Sequence, residues 1–326
     1  MLDFEDGVHL LGTGVFIDSR RSRPRGIVTH AHADHVGRHE RWVASPATAA
    51  LCARRWNAAE VEAHPFHEPW DEDGTRVTLL PAGHILGSSM VLLERAGTRV
   101  LYTGDFRLRA GATPEPCEPA PADVLVMECT YGNPRYRFPR RSDEIDRLCE
   151  FIARTLRAGA TPVLMAYSLG KAQEAARVIG MRGFHVWLHE QAYDMVEVYR
   201  GFGVEFPRCR RYATPPDDEP STRAELPERG ALIVPPGPAG RQVSRRFRPR
   251  RTAVLSGWAL DRWRSYGDAA FAISDHADFD ELIELVDRVR PRKVHTLHGP
   301  DGFERHLRAR GFDAEPAAMA VQGSLF

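Results

Sequence analysis

Short apolar runs that each stop at or beside a chemically capable side chain set the strongest limit on how this chain folds. They read "GIVTH", "RVTLLPAGH", "SSMVLLE", "TRVLYTGD" and "ADVLVMEC", with turn residues between them. Such runs predict sheet strands. Because they end in His, Asp or Glu, the polar residues fall on loops at strand ends, where α/β proteins place their chemistry. The first part of the chain is therefore expected to be a sheet scaffold presenting reactive side chains along one rim.

From about residue 142 the pattern changes. "SDEIDRLCEFIARTLRAG" has a Ser-Asp start, apolar positions at helical spacing and a Gly stop, which predicts an amphipathic helix. "TPVLMAYSLGKAQEAARVIGM" then reads strand, Ser-Gly loop, helix, and "ALIVPPG" and "TAVLSGWAL" add short strands, so the middle is expected to be an α/β unit of parallel type. The tail, "FAISDHADFDELIELVDRVRPRKVHTLHG", returns to strands ending in His. The two ends are thus expected to form one domain, residues 1–137 with 271–326, with 138–270 inserted into it. With 326 residues, 43% of them hydrophobic, both parts can fill proper cores.

The formal net charge is zero, which excludes a protein that is basic all over, yet the positive charge is uneven. Lys171 and Lys293 are the only lysines, while "RYRFPRR" and "RQVSRRFRPRR" concentrate arginine around Tyr136, Phe138 and Phe247. That mixture suits phosphate pairing and base stacking; a plain solvated surface explains it equally well. Five scattered cysteines without a C-x-x-C pair indicate neither disulfides nor a thiolate zinc site. The acidic N-terminus lacks the basic start and apolar run of a secretory signal, and a cytoplasmic location is expected.

"VTHAHADHVG" places His30, His32, Asp34 and His35 within six positions. An extended segment can aim alternating side chains at one point while His35 turns to a neighbouring one. Imidazoles with a carboxylate suit Zn²⁺ or Mn²⁺, so this loop is read as metal-binding. Asp18, at the end of "GVFID", either orients the loop or is an exposed turn residue.

The H-x-H-x-D-H run resembles the signature of the metallo-β-lactamase superfamily, which implies an αββα sandwich. The resemblance also implies His84 of "PAGHILGSS" as a third histidine, Asp105 of "YTGDFR" as a bridging aspartate and His298 of "TLHGP" as the last histidine. One ion would then sit on His30, His32 and His84, a second on Asp34, His35 and His298, with Asp105 shared. The inserted α/β unit, "VMECTYG" (Glu128), "ISDHADF" (His276) and "TLHG" resemble the β-CASP nuclease branch. This implies phosphodiester hydrolysis, with Asp34, Asp105, Glu128 and His276 as catalytic residues and His276 as proton donor to the leaving oxygen, its charge supported by Glu128. A His276 that merely starts a helix after Ser274 and Asp275 is the plainer alternative.

In "YSLGKAQE" a strand-end loop feeds a helix, so Ser168, Gly170 and Lys171 could converge on an anion such as a 5′-phosphate; Lys171 could instead pair with Glu174. Arg137 and Arg140 are further candidates for nucleic-acid contact. "TYGNPRYRFPRR", "YSLGKAQE" and "SDHADFDEL" resemble the bacterial ligase-associated DNA exonucleases. That implies a two-metal DNA exonuclease, 5′ to 3′, in DNA repair, with an ATP-dependent DNA ligase and a helicase as partners. His298 also fits RNA-cleaving relatives, so an RNA-processing nuclease stands as the alternative, with a catalytically inactive binding subunit as a third. The final "QGSLF" resembles a sliding-clamp docking peptide, with Gln322, Leu325 and Phe326 as its contacts, or it packs on its own domain.

Overall fold

The structure, a computed structural model, describes residues 2–56, 61–213, 224–261 and 267–317. The chain folds as two compact units, one of Met1–Arg135 with His276–Phe326 and one of Tyr136–Asp275. The sequence places the joins after 137 and after 270; the structure places them after 135 and after 275. Two interactions within the second unit account for the shift. The Tyr136 hydroxyl donates to Asp261 (3.0 Å), and Asp275 pairs with Lys171 (2.8 Å).

The first unit is built on two sheets. One has six short strands in sequence order, from Leu2–Asp3 to Val61–Ala63, of which Phe16–Ile17, Arg25–Ile27, Arg41–Ala44 and Val61–Ala63 run parallel. The other has seven, in the order Asp313–Pro316, Lys293–Leu297, Val124–Glu128, Thr98–Tyr102, Ser89–Arg95, Thr75–Pro81, Trp70–Glu72. Period-two alternation divides the second sheet between two cores. Val91, Leu93, Val100 and Val126 meet Val8, Ile17, Ile27 and Val43 of the first sheet. Met90, Leu92, Leu101, Leu125 and Met127 face the other way, onto Phe279, Leu282, Leu285 and Val286 of the helix Phe279–Val289. A strand buried on both faces reads as a continuous apolar run, which is why "ADVLVMEC" shows no alternation. The helix Pro46–Trp56 packs on the strands Arg41–Ala44 and Val61–Ala63. Helix, sheet, sheet, helix is the expected αββα layering.

The second unit has one six-stranded parallel sheet, ordered Cys209–Tyr212, His185–His189, Gly230–Val234, Thr161–Met165, Arg250–Leu255, Ala269–Phe271. Parallel pairing requires crossovers, supplied in part by the helices Lys171–Met181 and Pro238–Arg246. The helix foreseen from Ser142 spans Arg141–Arg157, and its N-cap is Arg140 with no side-chain cap. Two aromatics of the arginine clusters are interior residues, not a stacking platform. Tyr136 is buried against Trp258, and Phe247 packs with Val163, Trp187 and Tyr212. Neither cluster therefore offers these rings to a base.

Leu285 sits fully buried between helix and sheet. Leu285→Ala should lower unfolding free energy by about 2–5 kcal/mol, read from the denaturant midpoint at constant slope.

Candidate metal centre

Strand direction assembles the site. Thr75–Pro81 is antiparallel to Ser89–Arg95, which is antiparallel to Thr98–Tyr102; the latter is parallel to Val124–Glu128, itself parallel to Lys293–Leu297. Four of these strands therefore point one way and present residues at or just past their ends along one edge: His84, Asp105, Glu128 and His298. His30 and His32 follow the strand Arg25–Ile27 in the facing sheet. The turn before His84 requires glycine, because Gly83 has φ +75° and a Cβ there would lie 2.3 Å from the Arg107 carbonyl oxygen.

Three imidazoles converge. His32 Nδ1 is 3.1 Å from His30 Nε2 and 3.1 Å from His84 Nε2, and with an Asp105 oxygen these donor atoms lie within 4.8 Å of one another. Asp105 Oδ2 is 3.4 Å from His30 Nε2, 3.5 Å from His35 Nε2 and 3.8 Å from His84 Nε2. His35 Nε2 is also 3.8 Å from Asp34 Oδ2, and the His35 and His298 rings are 5.6 Å apart. Asp34 and His298 are exposed, the remaining donors mostly buried. His298 holds φ +49°, a left-handed conformation uncommon for a non-glycine residue.

Asp18 is no exposed turn residue. It is buried, and its carboxylate accepts from Thr29 N (2.8 Å), Thr29 Oγ1 (2.7 Å) and Tyr102 Oη (3.0 Å) while facing His35 Nδ1 at 2.8 Å. That leaves His35 Nε2 directed at Asp105. Tyr102 and Thr29 were not singled out in the sequence; their positions immediately before "TGD" and "HAH" are the only signal.

His276 is not a helix-start residue. The helix Phe279–Val289 is capped by Asp278, which forms a capping box with Glu281. His276 Nδ1 lies 2.9 Å from Glu128 Oε1, and its Nε2 is 3.9 Å from Asp105 Oδ2. Glu128 is itself fixed, accepting from Phe106 N (3.1 Å) and Thr130 N (3.2 Å).

The expected anion pocket of the second unit is built differently. Gly170 N donates to Gln173 Oε1 (2.7 Å), and the amide of Gln173 donates to the Ser168 and Ala192 carbonyls. Lys171 is buried, its ammonium 2.8 Å from Asp275 and 5.2 Å from the centre of the Tyr167 ring, while Glu174 pairs with Arg141. Two of the three foreseen donors are thus committed internally, because a buried ammonium and a buried amide each demand a partner. Ser168 is half-buried, and Arg137 and Arg140 are exposed.

The donor set fits divalent metal. Three imidazole nitrogens at about 3 Å with a buried carboxylate would repel or compete as a purely protonic cluster, and they match nitrogen and oxygen ligation of zinc-type ions. Burial, with the charge of His35, holds His30 well below the ordinary imidazole value and so unprotonated. Burial also opposes charge on His35, but Asp105 and Asp18 outweigh it and raise His35 well above that value. For Asp105, His35 and His276 overcome burial and keep the carboxyl well below the carboxylate range.

With His35 as a ligand, metal would displace its proton, so uptake should release it and affinity should weaken as pH falls through and below the raised His35 value. Calorimetry in two buffers of different ionisation heat measures this; a pH-independent affinity contradicts it. Asp18→Ala, which frees the His35 ring, should weaken metal binding by about 10–100-fold in competition with a chromophoric chelator.

A family model described as "Zn-dependent metallo-hydrolase RNA specificity domain" matches residues 270–316, which include His276 and His298. The chain is 38% identical over 319 residues to a protein of Opitutus terrae named "Probable DNA ligase", covering 95% of this chain and 30% of that one. It is 33% identical over 126 residues to "Cleavage and polyadenylation specificity factor 73" of Drosophila melanogaster, covering 37% of this chain and 18% of the relative. The chain thus spans less than a third of either relative. The crystal structure of a protein of unknown function from Enterococcus faecalis superposes with a TM-score of 0.61 at 14% identity, covering 92% of this chain and 79% of the other, a likeness of fold. With the layered sheets, the histidine cluster and these relatives together, the chain belongs to the metallo-β-lactamase superfamily, in its β-CASP branch.

Proposed function

We propose that this chain is a metal-dependent DNA exonuclease of DNA repair. The observation that carries the reading is a single carboxylate oxygen, Asp105 Oδ2, shared by the imidazole cluster and His276, whose other nitrogen is held by Glu128. Hydrolysis of a phosphodiester needs an attacking water, neutralisation at phosphorus and a proton for the leaving oxygen. Zn²⁺ or Mn²⁺ ions held by His30, His32, His84 and Asp105, and by Asp34, His35 and His298, would supply Lewis acidity and lower the pKa of water. His276 supplies the proton: Glu128 fixes its Nδ1 side, leaving Nε2 as the atom that faces the leaving group. A non-catalytic subunit would have no use for this complete set.

The preference for DNA rests on the Opitutus terrae relative. Nearly all of this chain aligns with under a third of a protein named for DNA ligation, so an equivalent module there shares one polypeptide with the remainder. This supports a ligase as partner and a place in end processing before sealing. The RNA-processing reading is favoured by His298 and by the name of the family model that covers it. Recognition of a 5′-phosphate loses its support from Gly170 and Lys171 and is not required by the reading. Gln322, Leu325 and Phe326 of the clamp-like peptide lie outside the described residues. Among those residues no helix is long and apolar enough to cross a membrane; a cytoplasmic setting remains part of the proposal.

The test is incubation of metal-loaded protein with labelled DNA and RNA strands of one sequence, each bearing 5′-phosphate or 5′-hydroxyl. Stepwise release of nucleotides from DNA, lost in Asp105→Ala, is expected; preferential RNA cleavage would select the alternative. His276→Ala should keep its metal and lower kcat by about 10²–10⁴-fold.

A further inference from the structure

The helix Pro46–Trp56 ends in Arg54, Arg55 and Trp56, next to the loop that carries His30 and His32. The Arg55 guanidinium donates through Nη1 to the carbonyl oxygen of Ala31, the residue between those two histidines. It also lies over the Trp56 ring, 4.5 Å from its centre. Basic residues in a last helical turn commonly just answer the helix dipole. Arg55 does something else, since its bond leaves its own helix for the ligand loop.

Two observations point to an anion. Among the described residues no carboxylate forms an ion pair with Arg55. One guanidinium N–H is engaged by Ala31, and the planar fork retains others suited to phosphate oxygens. Arg55 is exposed and Trp56 half-buried. A guanidinium with no carboxylate partner among the described residues, stacked on an indole beside a phosphodiesterase centre, is the pairing that binds a strand by phosphate and base together.

We propose that Arg55 and Trp56 form a nucleic-acid subsite at the edge of the metal centre, Arg55 taking the backbone phosphate adjacent to the one cleaved and Trp56 carrying the flanking base. The subsite rests on the nuclease reading. It assigns strand contact to the first unit itself, whereas the arginine clusters, Arg135 apart, lie in the second.

Steady-state cleavage of a labelled single-stranded oligodeoxynucleotide by metal-loaded protein, over a series of salt concentrations, tests it. Arg55→Ala should raise KM about tenfold, more than it lowers kcat, and reduce the salt slope of log kcat/KM by about one. Arg55→Lys should recover the slope but only part of the KM. Trp56→Ala should raise KM with the slope unchanged, because stacking is not ionic, and Trp56→Phe should restore it. Bound metal should be equal in all variants. An unchanged KM and slope in Arg55→Ala overturns the subsite, as does loss of metal with an unaltered slope, which would leave Arg55 only a support for the loop. Wild-type protein that cuts no strand refutes the nuclease reading; the same variants in an equilibrium binding titration then decide the subsite alone.

Discussion

A buried carboxylate must meet positive charge or lose its own, and Asp105 makes that demand at the centre of this molecule. Its Oδ2 lies within 3.9 Å of nitrogens from His30, His35, His84 and His276, drawn from three separate segments of the chain. An isolated carboxylate here would cost several kcal/mol. The histidines, and a metal in their place as counter-charge, offset that cost only if every strand end reaches one edge. The direction of the strands is therefore a requirement of the site as much as a property of the fold.

What was legible in the sequence follows from how local each signal is. The six-residue H-x-H-x-D-H loop carries its own geometry, so it could be read without knowing the fold. The rim could be read because apolar runs ending in His, Asp or Glu mark strand ends by pattern alone. Asp18 could not be settled this way: its partner Tyr102 lies 84 positions on, and nothing in "GVFID" distinguishes a buried acceptor from a turn residue. The partner of Lys171 was out of reach for the same reason. The lysine's local setting, a loop opening a helix, matches an anion site, and Asp275, which neutralises it, is more than a hundred residues away. Tyr136 and Phe247 were read by their arginine neighbours, although burial belongs to the side chain and alternates along the backbone.

The second unit shows where that misread charge goes. Tyr136 bonded to Asp261, Glu144 accepting from Ala272 N (2.8 Å) and Lys171 paired with Asp275 are all buried polar contacts, and all lie near the two ends of the segment. An insert has both termini tied to another domain, so fraying at either end would propagate into the chain that continues from it. Buried charge-assisted contacts are directional and fix that geometry better than apolar packing does. Asp275 directly precedes His276, so its pairing with Lys171 ties down the chain at the end of the insert.

Two histidines of the centre are also oriented by hydrogen bonds from the protein. His35 is oriented by Asp18, which Thr29 and Tyr102 hold, and His276 by Glu128, which two backbone amides hold. Rings already aimed lose little rotational freedom on ligation, so the free energy of binding is not spent on ordering them. In the proposed reaction the same fixation matters, since His276 held by Glu128 keeps one tautomer and one direction. Substitutions at Asp18 or Glu128 should then act by loosening geometry, although neither residue belongs to the three-imidazole cluster.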